Sequence, residues 1–188
     1  MEGIDILRVI TGTARGHKLK TVKGLNTRPT SDKVKGALFN ILAGRIEGSN
    51  VLDLFAGTGN LGIEALSRGA ASAVFIDKSP ECISVIKENL KHTKLEERAT
   101  VIPGDVMAVL KKMSNNFKKY DIIFMDPPYN KNLIQDTLKI IEENGIIKND
   151  GIVVVEKSAK DDTALNLEKL KLFRVKRYGD TVLSFFTT

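Results

Sequence analysis

The 188-residue chain has few residues of the types that build disulfides and metal sites. Its one cysteine, Cys82, cannot form an internal disulfide, and its two histidines, His17 and His92, are far apart in sequence. We therefore expect no bound metal. No apolar stretch approaches the roughly 20 residues of a membrane span, and the start of the chain lacks the basic and apolar regions of a signal peptide. The expected location is the cytoplasm, with no membrane partner.

Acidic residues are missing from one region of the sequence, between Ile6 and Ser31. The first fifty residues contain nine Lys or Arg and four Asp or Glu, so a net +5 of the overall +6 lies there. This pattern favours contacts with nucleic acid phosphates, although a solvated face on a basic protein is the alternative. The candidate RNA-binding residues are Arg8, Arg15, Lys18, Lys20 and Arg28.

The length of the chain and its 42% hydrophobic content predict one soluble globular unit. We expect a basic hairpin or arm over residues 1–27, in which 7–11 and 18–22 have strand-like composition. Residues 28–188 would form the catalytic domain. Ser31 is the expected N-cap of its first helix, whose apolar face carries Val34, Leu38, Ile41 and Leu42.

From Asn50 onward, short apolar segments alternate with amphipathic ones. The predicted strands are 51–55, 73–76, 100–102, 120–125 and 152–155. The predicted helices between them are 61–67, 79–90, 106–113 and 133–143. This alternation predicts a Rossmann-like α/β fold with a mostly parallel sheet and helices on both faces. The apolar pattern around Gly179-Asp180 predicts a C-terminal antiparallel hairpin.

A glycine-rich loop follows the first predicted strand. Gly57 and Gly59 allow the backbone to turn tightly and to approach a ligand, and a helix N-terminus lies directly after them. Together with Gly62 and with Asp77 at the end of the next strand, they match the dinucleotide-binding pattern. Asp53, however, would repel a pyrophosphate and attract the cationic groups of S-adenosylmethionine. The charge pattern therefore favours the methyl donor over NAD. The alternatives are that Asp53 is a buried acid that caps a loop N–H and that Asp77 caps the first turn of the next helix.

The tetrapeptide Asp126-Pro127-Pro128-Tyr129 directly follows the predicted strand 120–125. Prolines have no N–H group, so carbonyl oxygens near Asp126 are free to accept hydrogen bonds. A carboxylate beside free carbonyls suits the NH₂ group of a planar base, and Tyr129 offers a ring for stacking. The alternative is a strand-ending turn in which Tyr129 is an ordinary core residue.

Both motifs follow parallel strands, so they should face one cavity at the carboxyl edge of the sheet. The joint pattern resembles the class I S-adenosylmethionine-dependent amino-methyltransferases. Residues 8–19, 28–42 and 53–70 further resemble the bacterial guanine-N2 methyltransferases of small-subunit ribosomal RNA. The sequence departs from that family at Gly36, where an acid is usual, and at His17, Lys33 and Lys35, where arginine is frequent.

The resemblance implies a role for individual residues. Gly57 and Gly59 would hold the methionine part of the donor, with Asp53 near its amino group, and Asp77 would bind the ribose. The full set of cofactor-binding residues that the resemblance implies is Asp53, Phe55, Gly57, Gly59, Asp77, Lys78, Asp105 and Val106. Asp105 would bind the adenine amine, although a helix cap is an equal alternative for it. The implied catalytic residues are Asp126, Pro127, Pro128 and Tyr129.

The resemblance implies methyl transfer to the exocyclic N2 of a guanine in small-subunit ribosomal RNA, free or in an assembling subunit. An amino-methyltransferase for adenine in DNA or RNA, or for protein glutamine, is the alternative. A non-catalytic nucleotide-binding module is a third reading, which the intact cofactor and amine motifs disfavour. About fifty residues before the sheet are too few for a large DNA-recognition domain, and this favours structured RNA.

Overall fold

The computed structural model describes residues 7–22, 32–113, 118–128, 131–160 and 166–188. Its centre is a seven-stranded sheet in the order β3-β2-β1-β4-β5-β7-β6. The first five of these strands pair in parallel, whereas β7 runs antiparallel to both β5 and β6. The predicted fold class, a mostly parallel sheet with a C-terminal antiparallel hairpin, is confirmed.

The helices and strands follow one another in the predicted rhythm. The strands are β1 (Asn50–Leu54), β2 (Ser72–Asp77), β3 (Ala99–Pro103), β4 (Tyr120–Met125), β5 (Ile147–Ser158), β6 (Lys171–Tyr178) and β7 (Thr181–Thr187). The α-helices are α1 (Asp32–Ile41), α2 (Asn60–Ser67), α3 (Pro80–Thr93), α4 (Val106–Lys112) and α5 (Lys131–Glu143). A short 3₁₀ turn, Glu96–Arg98, leads into β3.

Side chains alternate between the two faces of each strand and build two hydrophobic cores. One core joins α1, α2, α3 and the N-terminal segment to residues such as Phe75, Phe124 and Phe185. The other joins α4 and α5 to residues such as Leu52 and Ile123. Helices therefore cover both faces of the sheet, as predicted. Within the residues described, no helix is long and apolar enough to cross a membrane.

Most predicted element boundaries agree with the structure to within three residues, and β5 is the main difference. The sequence prediction began this strand at Ile152, directly after the turn-like sequence Asn149-Asp150-Gly151. The structure starts it at Ile147, which pairs with Tyr120 before the register shifts. Asp150 takes a positive φ of 61° at this irregularity, so the strand continues through residues that favour turns.

The described part of the N-terminal segment, residues 7–22, is a hairpin packed against α1 and α2. Val9 N–H donates to the His17 carbonyl at 3.0 Å, and Leu19 N–H donates to the Leu7 carbonyl at 2.8 Å. Leu7, Val9 and Leu19 are buried in the core that contains α1 and α2. The described part of the basic segment is therefore anchored through its apolar side chains, and its cations point outward. The predicted cap Ser31 lies outside the described residues.

Candidate active site

The glycine-rich loop between β1 and α2 has the tight geometry that its sequence predicts. Gly57 and Gly59 have φ values of 56° and 76°, in the left-handed region that favours glycine. Phe55 also has a positive φ of 57°, which is rare for a bulky residue. Such backbone strain is concentrated at ligand-binding sites, so this loop is the first candidate for a cofactor cradle.

Asp77, at the end of β2, holds this loop in place. Its Oδ2 accepts a hydrogen bond from the Gly57 N–H at 2.8 Å, and its Oδ1 accepts one from the Ser79 N–H at 2.9 Å. A carboxylate oxygen can accept a second hydrogen bond, so these contacts leave acceptor capacity for ribose hydroxyls. Asp77 thus combines a loop-shaping contact with the position expected of a ribose-binding acid.

Asp53 is buried beneath the loop with 3% of its surface exposed. Its Oδ2 accepts a hydrogen bond from the Gly62 N–H at 2.9 Å, in the first turn of α2. Desolvation raises the pKa of Asp53 to about 8, helped by the charge of Asp77 and opposed by the Gly62 hydrogen bond. At neutral pH the acid is therefore mainly protonated until a cation approaches it.

This protonation changes the physical argument for cofactor choice. A neutral Asp53 does not repel a pyrophosphate strongly, so repulsion alone does not exclude NAD. A cationic ligand, in contrast, stabilises the ionised carboxylate and compensates for its desolvation. The preference for S-adenosylmethionine over NAD therefore comes from the attraction between ionised Asp53 and a positively charged ligand. An ammonium or sulfonium group fits this buried acid.

Close packing explains why the third residue of the motif, Gly62, is a glycine. A Cβ atom at this position would lie 2.3 Å from Cε1 of Phe75 and 3.1 Å from Oδ2 of Asp53. Helix α2 therefore packs against β1 and β2 at a distance that only glycine permits. The close approach brings the N-terminal turn of α2 to Asp53 and forms the floor of the cradle.

The Asp126-Pro127-Pro128 segment leaves the sheet at the carboxyl end of β4, next to β1. Asp126 is solvent-accessible, yet desolvation by surrounding protein atoms raises the pKa of its carboxyl group well above the ordinary value, with further contributions from Glu156 and Asp53. Asp53 pairs with Phe124 of β4, two residues before Asp126, so the two acids lie close to the carboxyl ends of adjacent strands. Tyr129 lies outside the described residues.

The remaining predicted cofactor residues line the same carboxyl edge. Asp105 is the N-cap of α4, and its Oδ1 accepts a hydrogen bond from the Ala108 N–H at 3.0 Å. The capping alternative is therefore present, and the exposed carboxylate keeps free lone pairs for a ligand. Val106 is buried beside it, whereas Lys78 is exposed after β2. No group of three potential metal ligands occurs in the part of the chain that the structure describes.

Sequence reasoning missed a buried ionic cluster behind the loop. Lys35 and Glu64 are fully buried, with Nζ and Oε2 3.2 Å apart. The Lys35 Nζ also donates to Oδ1 of Asn60 at 2.6 Å, and Glu64 accepts hydrogen bonds from the backbone N–H groups of Ile10 and Thr11. Burial lowers the pKa of Lys35, and the charge of Glu64 opposes this effect. The sequence feature that could have indicated this cluster is Glu64, the single acid within the apolar helix α2.

Asn89 was also missed, and it joins the basic hairpin to the cofactor loop. Its side chain exchanges two hydrogen bonds with the backbone of Lys20, at 2.8 and 3.1 Å. Its Nδ2 also donates to the Thr58 carbonyl, in the glycine-rich loop, at 3.0 Å. A single buried amide therefore fixes the position of the hairpin relative to the loop. Nothing in the sequence distinguished it from other polar residues of α3.

The predicted RNA-binding cations lie on the outer side of the hairpin. Arg8, Arg15, Lys18 and Lys20 are exposed. Arg8 pairs with Asp32 at 2.8 Å, and Lys20 pairs with Glu88. No ion pair involves Arg15 or Lys18 within the described residues, so their charge is available to a partner. Arg28 lies outside those residues.

Known proteins resemble this chain over nearly its whole length. A family model described as Conserved hypothetical protein 95 matches residues 7–187. The chain belongs to this family. Ribosomal RNA small subunit methyltransferase D of Escherichia coli is 35% identical over 184 residues, which cover 98% of this chain and 91% of that protein. The predicted relationship to small-subunit ribosomal RNA methyltransferases is therefore confirmed.

Solved structures of similar proteins share the fold of this chain. A structure from Escherichia coli described as a methyltransferase has a TM-score of 0.85 and 33% identity, and each chain covers 96% of the other. A methyltransferase structure complexed with SAH has a TM-score of 0.66 at 18% identity, covering 83% of this chain and 48% of that one. At 18% identity the second structure is evidence about the fold alone. Together the two structures confirm the class I methyltransferase fold.

Proposed function

We propose that the protein transfers a methyl group from S-adenosylmethionine to the exocyclic N2 of a guanine in small-subunit ribosomal RNA. S-adenosylmethionine is the methyl donor of this family. The observation that carries the proposal is the position of Asp53 and Asp126 near the carboxyl ends of the adjacent strands β1 and β4. A buried acid suits a cationic donor, and a carboxylate beside free carbonyls suits an amine.

The donor, when bound, supplies an electrophilic methyl group on a positively charged sulfur. Gly57 and Gly59 would hold its amino acid part, with Asp53 accepting the ammonium group. Asp77 and Asp105 would bind the ribose and the adenine amine. The strained loop, the raised pKa of Asp53 and the spare lone pairs of Asp77 all fit this assignment.

Asp126 and the Pro127 carbonyl would accept hydrogen bonds from the two N–H groups of the target amine. An amine attached to an aromatic ring shares its lone pair with the ring, and two acceptors favour a pyramidal nitrogen whose lone pair is free to react. Orientation and charge complementarity then provide most of the catalysis. As the new N–C bond forms, the bond between the methyl carbon and the donor sulfur would break and release S-adenosylhomocysteine. The nitrogen would then carry an acidic proton, which the Asp126 carboxylate could take because its pKa is raised.

Replacement of Asp126 tests this assignment. We expect Asp126→Ala to lose most of its turnover and to bind S-adenosylhomocysteine nearly as the wild type does in calorimetric titration. Asp136→Ala, an exposed acid on α5, is the matched control. Turnover of Asp126→Ala within a few-fold of the wild type would exclude the amine-binding role.

The pH dependence provides a second test of the same residue. Because the raised pKa keeps Asp126 protonated at acidic pH, the rate should rise with pH as the carboxylate forms and then level off. Any residual activity of Asp126→Asn should lack this ascending limb.

Tyr129→Phe should keep much of the activity and Tyr129→Ala should lose it, since stacking is the proposed role of the ring.

The target itself is tested by mass mapping of ribosomal RNA from a strain lacking this protein. A guanine in small-subunit RNA should lose one methyl group and regain it when the gene is restored. RNA binding is expected from the exposed cations Arg15 and Lys18, and the relatives' names include ribosomal RNA small subunit methyltransferase. Loss of a methyl group from adenine, from DNA or from a protein glutamine instead would reject the proposed substrate.

A further inference from the structure

Strand β6, at the edge of the sheet, has an exposed surface that the proposed function does not use. Its eight residues, Lys-Leu-Phe-Arg-Val-Lys-Arg-Tyr, include four cations and no acid. Every residue of the strand except Tyr178 is exposed. Within the described residues, no ion pair involves Arg174 or Lys176. This strand is a concentrated source of positive charge outside the N-terminal hairpin.

The register of β6 places two of its cations on one face of the sheet. Arg174 is opposite Phe185, and Lys176 is opposite Leu183. Side chains that are directly opposite each other in paired strands point to the same face. Phe185 and Leu183 belong to the core beneath α1 and the N-terminal hairpin. Arg174 and Lys176 therefore lie on the hairpin face.

Lys176 is also level with the proposed catalytic acid. Met125 pairs with Val155, so Asp126 and Glu156 are the next residues along β4 and β5. Glu156 pairs with Leu183, which pairs with Lys176. Three strand spacings separate Asp126 from Lys176, or about 14 Å. About four stacked nucleotides, at roughly 3.4 Å each, would cover this distance.

We propose that Arg174 and Lys176 form a second RNA-contact surface, which binds phosphates beside the nucleotide held at Asp126. This inference rests on the proposed function, because the ligand is the substrate RNA. Charge complementarity favours RNA: a strand with four cations and no acid attracts a polyanion. Exposed cations also protect edge strands from aggregation, but protection does not require alignment with the catalytic acid.

The test compares two double variants that each remove two exposed cations. Arg174→Ala/Lys176→Ala changes the proposed surface. Lys111→Ala/Lys112→Ala changes the end of α4, whose buried residues Val106 and Leu110 belong to the opposite core. Binding to small-subunit ribosomal RNA is measured over a series of salt concentrations. The β6 variant should bind more weakly, and its salt slope should fall by roughly 1.4 to 1.8, or 0.7 to 0.9 for each lost phosphate contact.

The control variant and cofactor binding are measured in parallel, to distinguish lost RNA contacts on β6 from a general loss of charge or folding. The control variant should retain the wild-type slope, and both variants should bind S-adenosylhomocysteine normally. Equal slopes in the wild type and the β6 variant, or an equal loss in both variants, would overturn the inference. Lost binding to assembled subunits with unchanged binding to protein-free RNA would indicate a ribosomal protein on β6 and would also overturn it.

The activity of the wild type distinguishes a failure of this inference from a failure of the proposed function. If the wild type transfers labelled methyl groups to ribosomal RNA and the β6 variant binds that RNA normally, only the second surface is wrong. If the wild type neither binds nor methylates the RNA, the proposed function itself fails. The variant Arg174→Gln/Lys176→Gln, which retains longer polar side chains, should show the same loss if charge is responsible.

Discussion

The buried acid Asp53 makes the stability of the protein without its cofactor depend on pH in a defined direction. Its pKa is raised from 3.8 to about 8 in the folded protein. Between these values the folded state retains a proton that the unfolded state has lost. The stabilising contribution is complete below about pH 3.8 and is lost as the pH rises towards 8. The slope from one such group approaches about 1.4 kcal/mol per pH unit.

The substitution Asp53→Asn isolates this contribution. Asparagine is similar in size, can still accept the Gly62 hydrogen bond and does not titrate. From pH 6.0 to 7.5 the wild type should lose about 2 kcal/mol more unfolding free energy than Asp53→Asn. Urea unfolding at both pH values, at constant ionic strength, measures this difference. Asp121→Asn is the control, because hydrogen bonds and the charge of Lys148 lower the pKa of Asp121 and keep it ionised throughout this range.

Parallel loss of stability in the wild type and Asp53→Asn would refute the raised pKa. The same variant tests the role of Asp53 towards the donor. If the ammonium group of S-adenosylhomocysteine binds the ionised carboxylate, wild-type Asp53 must release its proton on binding near pH 7. The binding heat should then depend on the ionisation enthalpy of the buffer, and this component should be absent in Asp53→Asn. Equal buffer dependence in both proteins would reject that contact.

Two further predictions concern packing around the loop. Gly62→Ala should destabilise the protein by about 1–3 kcal/mol through overpacking against Phe75, measured by urea unfolding, whereas Gly36→Ala in α1 meets no atom within 4 Å and should not destabilise it. Glu64→Ala leaves the Lys35 ammonium group buried without its partner and should cost roughly 3–5 kcal/mol in the same assay. A loss below 1 kcal/mol would contradict the contribution assigned to the buried pair.

The fold was predictable because its signals are local and repeated. Each buried strand is a short apolar run, and the helices begin at recognisable caps such as Ser79, which accepts a hydrogen bond from the Cys82 N–H. The residues of the candidate site were named from the sequence because a glycine-rich loop and an Asp-Pro-Pro-Tyr segment are unusual patterns, and the roles assigned to these residues stay predictions. Strand alternation then brought these motifs to one edge of the sheet.

The contacts that hold the site together could not be predicted, because they join residues distant in sequence. Asn89 contacts Lys20, 69 positions away, and Thr58, 31 positions away. Lys35 and Glu64 are 29 positions apart, and only the tertiary fold buries both of them. The protonation of Asp53 has the same origin, since desolvation depends on the packing of α2 against the sheet. Sequence motifs identified the groups, and tertiary burial determined their charge.

We expect the distribution of charge around the carboxyl edge of the sheet to determine how RNA presents a base to this site. Asp53 and Glu156 both raise the pKa of Asp126, whereas exposed cations lie on the hairpin and on β6. Phosphates would be attracted to the cations, whereas the acids offer them no attraction, and ionisation of Asp53 by a bound cationic donor would add repulsion. A base carries no negative charge and offers amine hydrogens, so it could approach Asp126 where a phosphate would not. The cations would therefore hold the RNA backbone at the edge of the site, and the acids would accept the donor and the amine.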